Sequence, residues 1–217
     1  MRLFAAVQPP EHVLAHLERA LDAVRGSDED AGGAGPLRWA PTEDRHVTLA
    51  FFGEVPAGAA VELDQGLAAV AAAHRPFRAQ LRGAGVFDRR VFWIGVGGEV
   101  DALAALTADC VGLGSATTGR ADGRVRSRSH LTVARVRSQA RARSTPYRRR
   151  PQAPAGPDRV AALAHALAVY AGPEWTVDGF ALVVSRPGEG RGAGPAYDTE
   201  QAYRLGGPDG VGPAASG

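Results

Sequence analysis

The chain has 217 residues, of which 45% are hydrophobic and 22% charged. That is enough for one large domain or two small ones around a full apolar core, with the composition of an ordinary globular protein. The formal net charge is only +2, and a single cysteine, Cys110, excludes both an internal disulfide framework and a cysteine zinc site.

No run of 18 apolar residues occurs, and Pro9-Pro10 interrupts the N-terminus too early for a signal peptide. A cytoplasmic protein with no membrane partner is therefore expected. All 25 basic residues are arginine and Ile94 is the only isoleucine, as in a GC-rich genome. Arginine in place of lysine thus says little about phosphate; its position must carry that argument.

The apolar stretch Leu3–Val7 predicts a strand, stopped by Pro9-Pro10. Val13, Leu14, Leu17, Leu21 and Val24 then recur at helical spacing over residues 11–25. Residues 26–36 (GSDEDAGGAGP) read as a loop, residues 46–52 as a strand and residues 57–74 as an alanine-rich helix. Residues 77–86 and 91–96 predict two strands joined across Phe87-Asp88-Arg89-Arg90 as a hairpin. A helix over 101–113 and a strand over 129–136 follow. The segment 137–157 is rich in arginine and proline and reads as mostly loop. A helix over 158–170, strands near 175–185 and 197–205, and a disordered tail over 206–217 complete the chain. Hairpin-like pairs among interleaved helices predict an α+β architecture with antiparallel sheets. Nucleotide-binding glycine motifs are absent.

One internal repeat stands out. Arg45-His46-Val47-Thr48-Leu49-Ala50 and Ser129-His130-Leu131-Thr132-Val133-Ala134 share the pattern His, apolar, Thr, apolar, Ala. By composition alone, two such hits have a chance on the order of 0.001, so the repeat is the signal on which to build. Side chains alternate faces along a strand, so each imidazole and its threonine hydroxyl point the same way while the apolar residues enter the core. Cleaving a phosphodiester needs one group to take a proton and another to give one, and a neutral and a protonated imidazole form such a pair near neutral pH. The hydroxyls of Thr48 and Thr132 suit the non-bridging phosphate oxygens, where charge accumulates. That scheme needs no metal and no cofactor.

At these residues the sequence resembles the 2H phosphoesterase superfamily, named for two His-x-Thr motifs, and within it the RNA 2′,3′-cyclic phosphodiesterases formerly described as 2′–5′ RNA ligases. The likeness extends to Arg2–Val7 with Pro10-Glu11, Leu37-Arg38-Trp39, His46–Val55, Arg90–Val96, Ser129–Arg135, Phe180–Val183 and Tyr197. The resemblance implies one bilobal domain over 1–205. In it, two pseudo-twofold-related antiparallel sheets carry helices outside and share a central cleft. It implies metal-independent hydrolysis of an RNA 2′,3′-cyclic phosphate end to a 2′-phosphomonoester, and a monomer is expected. It further implies His46 as proton donor, His130 as proton acceptor, and Thr48, Thr132 and Arg135 as substrate-binding residues. The two motifs are nearly equivalent, so the residues alone do not order the acid and the base.

Other readings compete. The same fold can act on a 2′,5′-linked oligonucleotide or a small cyclic nucleotide, or bind a nucleotide or RNA without turnover. A histidine zinc site would need a third ligand, with Glu43 or Asp44 off the strand register of His46. Strict alternation puts Arg135 opposite Thr132, whereas a bulge would turn it to the cleft. Arg137, Arg141, Arg143 and Arg148–Arg150 form a solvated loop or an RNA contact. Phe51, Phe52 and Trp93 are expected in the core, although an aromatic at the cleft edge, Trp39 included, could instead stack a base; His12, His16, His74 and His165 read as structural.

Overall fold

The computed structural model describes residues 1–25, 36–119, 128–137, 156–191 and 194–206. The arginine-rich segment 138–155, the loop 26–35 and the tail 207–217 lie outside the described residues, as do the expectations attached to them. Among the described residues no helix is long and apolar enough to cross a membrane.

The first strand, β1 (Arg2–Val7), is buried along almost its whole length, as a continuous apolar run predicts for a strand covered on both faces. Helix α1 (Glu11–Val24) starts after Pro10 and buries Val13, Leu14, Leu17 and Leu21. A short strand that the sequence does not suggest, β2 (Leu37–Trp39), precedes a 3₁₀ turn at Thr42–Asp44 and then β3 (Val47–Glu54). Helix α2 (Ala57–Ala73) buries Leu63, Leu67 and Ala71 at i, i+4, i+8. β4 (Phe77–Phe87) and β5 (Val91–Gly98) form the expected hairpin, with Asp88 and Arg89 both at positive φ.

Helix α3 (Val100–Thr118) runs one turn and more beyond its predicted end. Gly112 and Gly114 look like breakers, but Ser115 and Thr118 donate to the carbonyls of Val111 and Gly114, and left-handed Gly119 supplies the stop. Gly114 is required by packing: a Cβ there would lie 2.5 Å from the Phe52 ring. β6 (His130–Val136) follows, and α4 (Gly156–Ala166) begins and ends earlier than predicted, giving way to a turn that bonds Tyr170 N–H to Leu167 O. The predicted stretch over 175–185 is two strands, β7 (Ala171–Val177) and β8 (Gly179–Arg186), and β9 (Ala196–Arg204) closes the chain.

The strands form one antiparallel sheet in the order β7-β4-β5-β6-β3-β1-β8-β9, with β2 beside β6. The two expected antiparallel sheets are continuous with each other, joined between β3 and β6 by the pair Val47 and Leu131. Only Asp178 separates β7 from β8, yet these strands stand six places apart in the order. Laid flat, six spacings would span about 29 Å, far beyond the reach of one connecting residue. The sheet must therefore be strongly curled, a half-barrel. Helices α1 and α4 pack toward β7, β4 and β5, while α2 and α3 pack toward β9 and β3.

Candidate active site

The open face of the curled sheet holds a cleft of about 780 Å³, and among the described residues none from the four α-helices lines it. Both histidines and both threonines of the repeat line it, together with Arg135. Where β3 meets β6, Val47 faces Leu131. Antiparallel register then sets His46 across from Thr132 and Thr48 across from His130.

The two motifs share a backbone irregularity. Opposite β1, Ala5 pairs with Ala50 and Ala6 with Thr48, leaving Leu49 as an extra residue. Opposite β5, Phe92 pairs with Ala134 and Trp93 with Thr132, leaving Val133 as the extra residue. Each bulge follows the motif threonine and shifts the alternation by one. Arg135 is thereby turned into the cleft, as is Phe51 at the corresponding place after the first motif. Of the two places open to Phe51, the bulge gives it the cleft edge and not the core; Phe52 is buried in the core, and Trp93 is buried behind Phe87.

Both rings are anchored alike. His46 Nδ1 lies 2.7 Å from the Asp44 carbonyl oxygen and His130 Nδ1 3.1 Å from that of Arg128. A carbonyl only accepts, so each Nδ1 carries hydrogen and donates, and proton exchange at each ring passes through Nε2. Aromatic walls fix the ring planes. His46 packs against Phe4 at 4.8 Å and edge-on to Tyr197 at 5.1 Å. His130 meets Phe87 edge-on at 4.8 Å, and Phe87 in turn stacks on Trp93 at 5.0 Å.

Support behind the two histidines differs. The neighbour of His46, Arg45, is only 2% exposed. Its Nε donates to the Ala40 carbonyl and its Nη1 pairs with Glu18 of α1. Glu18 also accepts from Arg25, whose guanidinium lies 4.0 Å over the Trp39 ring. Burial pushes the Glu18 carboxyl upward, but the two arginines outweigh it and hold its pKa below the usual range. This ion-paired clamp ties α1 to the turn that carries the Asp44 carbonyl.

Charges at the cleft rim are mainly guanidinium groups: Arg2, Arg38, Arg128, Arg135 and Arg191, against Asp44 and Asp88. Burial and neighbouring Glu43 raise the Asp44 pKa, and Arg191 opposes them. Burial also raises the Tyr197 pKa, so its phenol stays protonated near neutral pH. Among the described residues no group of three or more His, Cys, Asp or Glu side chains is placed to hold a metal ion. Of the two candidate third zinc ligands, Asp44 engages His46 through its carbonyl, and Glu43 pairs with Arg191 at 3.8 Å. His16 and His74 serve structure, reaching Tyr170 and Asp109 at 3.1 and 2.8 Å.

Sequence reasoning misses Arg38 and the Phe87 wall as site residues. Arg38 sits on a three-residue strand with no readable period, and Phe87 on a hairpin corner whose direction depends on the turn. Only a match of Arg38 to Arg135 across the sheet would have revealed the former.

Comparison with known proteins agrees with this architecture. The 2′-5′ RNA ligase superfamily matches residues 9–189. The RNA 2′,3′-cyclic phosphodiesterase of Thermus thermophilus is 32% identical over 225 residues, covering 97% of this chain and 93% of that protein. That of Geobacillus stearothermophilus is 33% identical over 201 residues, covering 88% of this chain but 55% of the relative, so the chain spans about half the length of that protein. Among solved structures, TT0787 of Thermus thermophilus superposes with a TM-score of 0.65 at 27% identity, covering 96% of this chain and all of that one. Escherichia coli LigT complexed with 3′-AMP shares the fold, with a TM-score of 0.64 at 19% identity over 94% of this chain and 96% of that one.

Proposed function

Because the chain belongs to the 2′-5′ RNA ligase family of the 2H phosphoesterase superfamily, we propose that it hydrolyses RNA 2′,3′-cyclic phosphate ends to 2′-phosphomonoesters. In this reading His130 Nε2 takes a proton from water as the water oxygen bonds to phosphorus. The bond from phosphorus to the ribose 3′ oxygen breaks, and His46 Nε2 gives that oxygen its proton. Thr48 and Thr132 donate to the non-bridging oxygens, and Arg135 binds the anionic substrate. Both proton transfers fall to imidazoles, so the scheme calls on no metal.

The observation that carries the proposal is the matched anchoring of the two rings: each Nδ1 is committed to the carbonyl two residues before it. Two rings so held exchange protons through Nε2 alone, one on each side of a shared anion. A site built only for binding has no need for that pairing.

We read residues 1–205 as one bilobal unit related by a pseudo-twofold axis through the Val47–Leu131 pair. The strand order supports this reading. From the centre outward it runs β6, β5, β4, β7 on one side and β3, β1, β8, β9 on the other, with equivalent bulges in β3 and β6. Near-equivalent motifs leave the acid and base assignment to the asymmetric surroundings, Tyr197 beside His46 and Phe87 beside His130.

Incubation of EDTA-treated protein with a short RNA ending in a 2′,3′-cyclic phosphate tests the reaction. Conversion to the 2′-phosphate is expected. A 3′-phosphate product would reverse the regiochemistry, and absence of any conversion would overturn the reading.

A further inference from the structure

Arg38 of β2 and Arg135 of β6 are partners across an antiparallel pair, so their side chains leave the same face of the sheet, and both line the cleft. Two guanidinium forks on one face of a cleft present several charge-assisted donors to an anion bound there. Burial and the Asp44 carboxylate raise the pKa of the Tyr197 hydroxyl, and Arg135, Arg38 and Arg2 all oppose that rise. These three guanidinium groups and the Asp44 carboxylate thus line the cleft with Tyr197, which meets His46 at 5.1 Å. Gly194 leaves room beside Arg38: a Cβ there would lie 3.1 Å both from Arg38 Nη1 and from the Arg191 carbonyl oxygen.

The cluster lines the same cleft as Thr48 and Thr132. Thr132 and Arg135 are three residues apart on β6, at most about 10 Å along the strand, which is a reach suited to the neighbouring phosphate of a nucleotide.

We propose that Arg38, Arg135 and the Tyr197 hydroxyl form a second anion subsite for a phosphoryl group on the 5′ oxygen of the terminal nucleoside. The inference rests on the function proposed above and narrows its substrate class to nucleotides phosphorylated on both sides of the ribose. Two guanidinium forks and a phenol match a tetrahedral oxyanion better than they match a base edge. The 5′ phosphoryl group can come from the diester of a preceding nucleotide in an RNA chain or from a 5′-monoester.

Equilibrium binding of the reaction products tests the subsite without requiring turnover. The ligands are adenosine 2′-phosphate, adenosine 2′,5′-bisphosphate and the dinucleotide ApA with a terminal 2′-phosphate, titrated into wild type and Arg38→Gln. The added 5′ phosphoryl group is expected to tighten wild-type binding about tenfold or more. Arg38→Gln is expected to remove most of that gain while weakening adenosine 2′-phosphate less than about threefold, and Arg38→Lys to fall between them because it keeps charge without the fork.

A gain in either two-phosphate ligand that Arg38→Gln abolishes supports the subsite, and the larger gain identifies diester or monoester as its source. No gain in wild type, a gain that survives Arg38→Gln, or an equal loss for all three ligands overturns it. If the Arg38-dependent gain is present but cyclic ends are not hydrolysed, the subsite stands and the proposed reaction falls.

Discussion

Val47 and Leu131 face each other in the pair that joins β3 to β6, and each is the middle residue of its His-x-Thr triplet. Both are buried to within 1%. Burying the centre residues together leaves the flanking residues of both strands on the cleft side, histidine beside the other strand's threonine. One apolar contact thus assembles four polar groups from segments more than 80 residues apart in sequence.

His46→Ala and His130→Ala are each expected to lower kcat by about 10² to 10⁴, the usual contribution of a positioned acid or base. The pH profile of kcat/KM should be bell-shaped in the wild type, because one imidazole must be neutral while the other is protonated. Each single variant should lose one limb. Steady-state rates across pH on a cyclic-phosphate dinucleotide check both, and a flat wild-type profile would contradict the pairing.

Glu18→Gln removes the partner of buried Arg45 and is expected to cost about 2–3 kcal/mol, with Glu18 itself 29% exposed. Glu18 has a folded-state pKa below its unfolded value, so its contribution is present above the unfolded pKa and fades as pH falls through the folded one. The stability difference between wild type and Glu18→Gln should therefore be full at neutral pH and shrink in acid. Denaturant titrations at several pH values read this. A loss in kcat larger than the loss in affinity would show the clamp acting on His46.

Gly85 faces Trp93 across the β4–β5 hairpin, and a Cβ there would lie 2.2 Å from the indole ring. Gly85→Ala must displace that indole, on which Phe87 stacks beside His130. Overpacking of this kind is expected to cost about 1–3 kcal/mol, and activity should fall with it. Tryptophan fluorescence together with turnover would register the shift, and wild-type behaviour in both would contradict the packing.

Cys110 is fully buried on α3, and burial together with Asp109 raises its thiol pKa to about 12. A thiolate-selective reagent at neutral pH should leave the folded protein unmodified and label it on unfolding. With only one cysteine in the chain, the labelling rate becomes a direct probe of opening. Rapid modification under native conditions would sink this placement.

Gly194 supports the second anion subsite only if its small size matters. Gly194→Ala crowds Arg38 Nη1 and the Arg191 carbonyl oxygen alike and is expected to weaken binding of the dinucleotide with a terminal 2′-phosphate by about twofold to threefold. Binding of adenosine 2′-phosphate should change less. Titration of both ligands measures the split.

Most elements and the His-x-Thr repeat are legible in the amino-acid order, because both are local. Leu14, Leu17 and Leu21 carry a helical period, and His46-Val47-Thr48 an alternating one, whatever the rest of the chain does. What escapes such reading is of a different kind. β2 is too short to show a period, the Gly112 and Gly114 positions mask the last turn of α3, and alternation puts Phe51 on the wrong face. Phe51 and Arg135 depend on single extra residues at Leu49 and Val133, and a bulge is defined by the partner strand, which one segment's pattern does not contain. The union of two expected sheets into one curled sheet, and the meeting of Arg38 with Arg135, depend likewise on pairings between residues distant in sequence. Local patterns record which side chains seek burial; only the folded register decides which of the remaining ones meet.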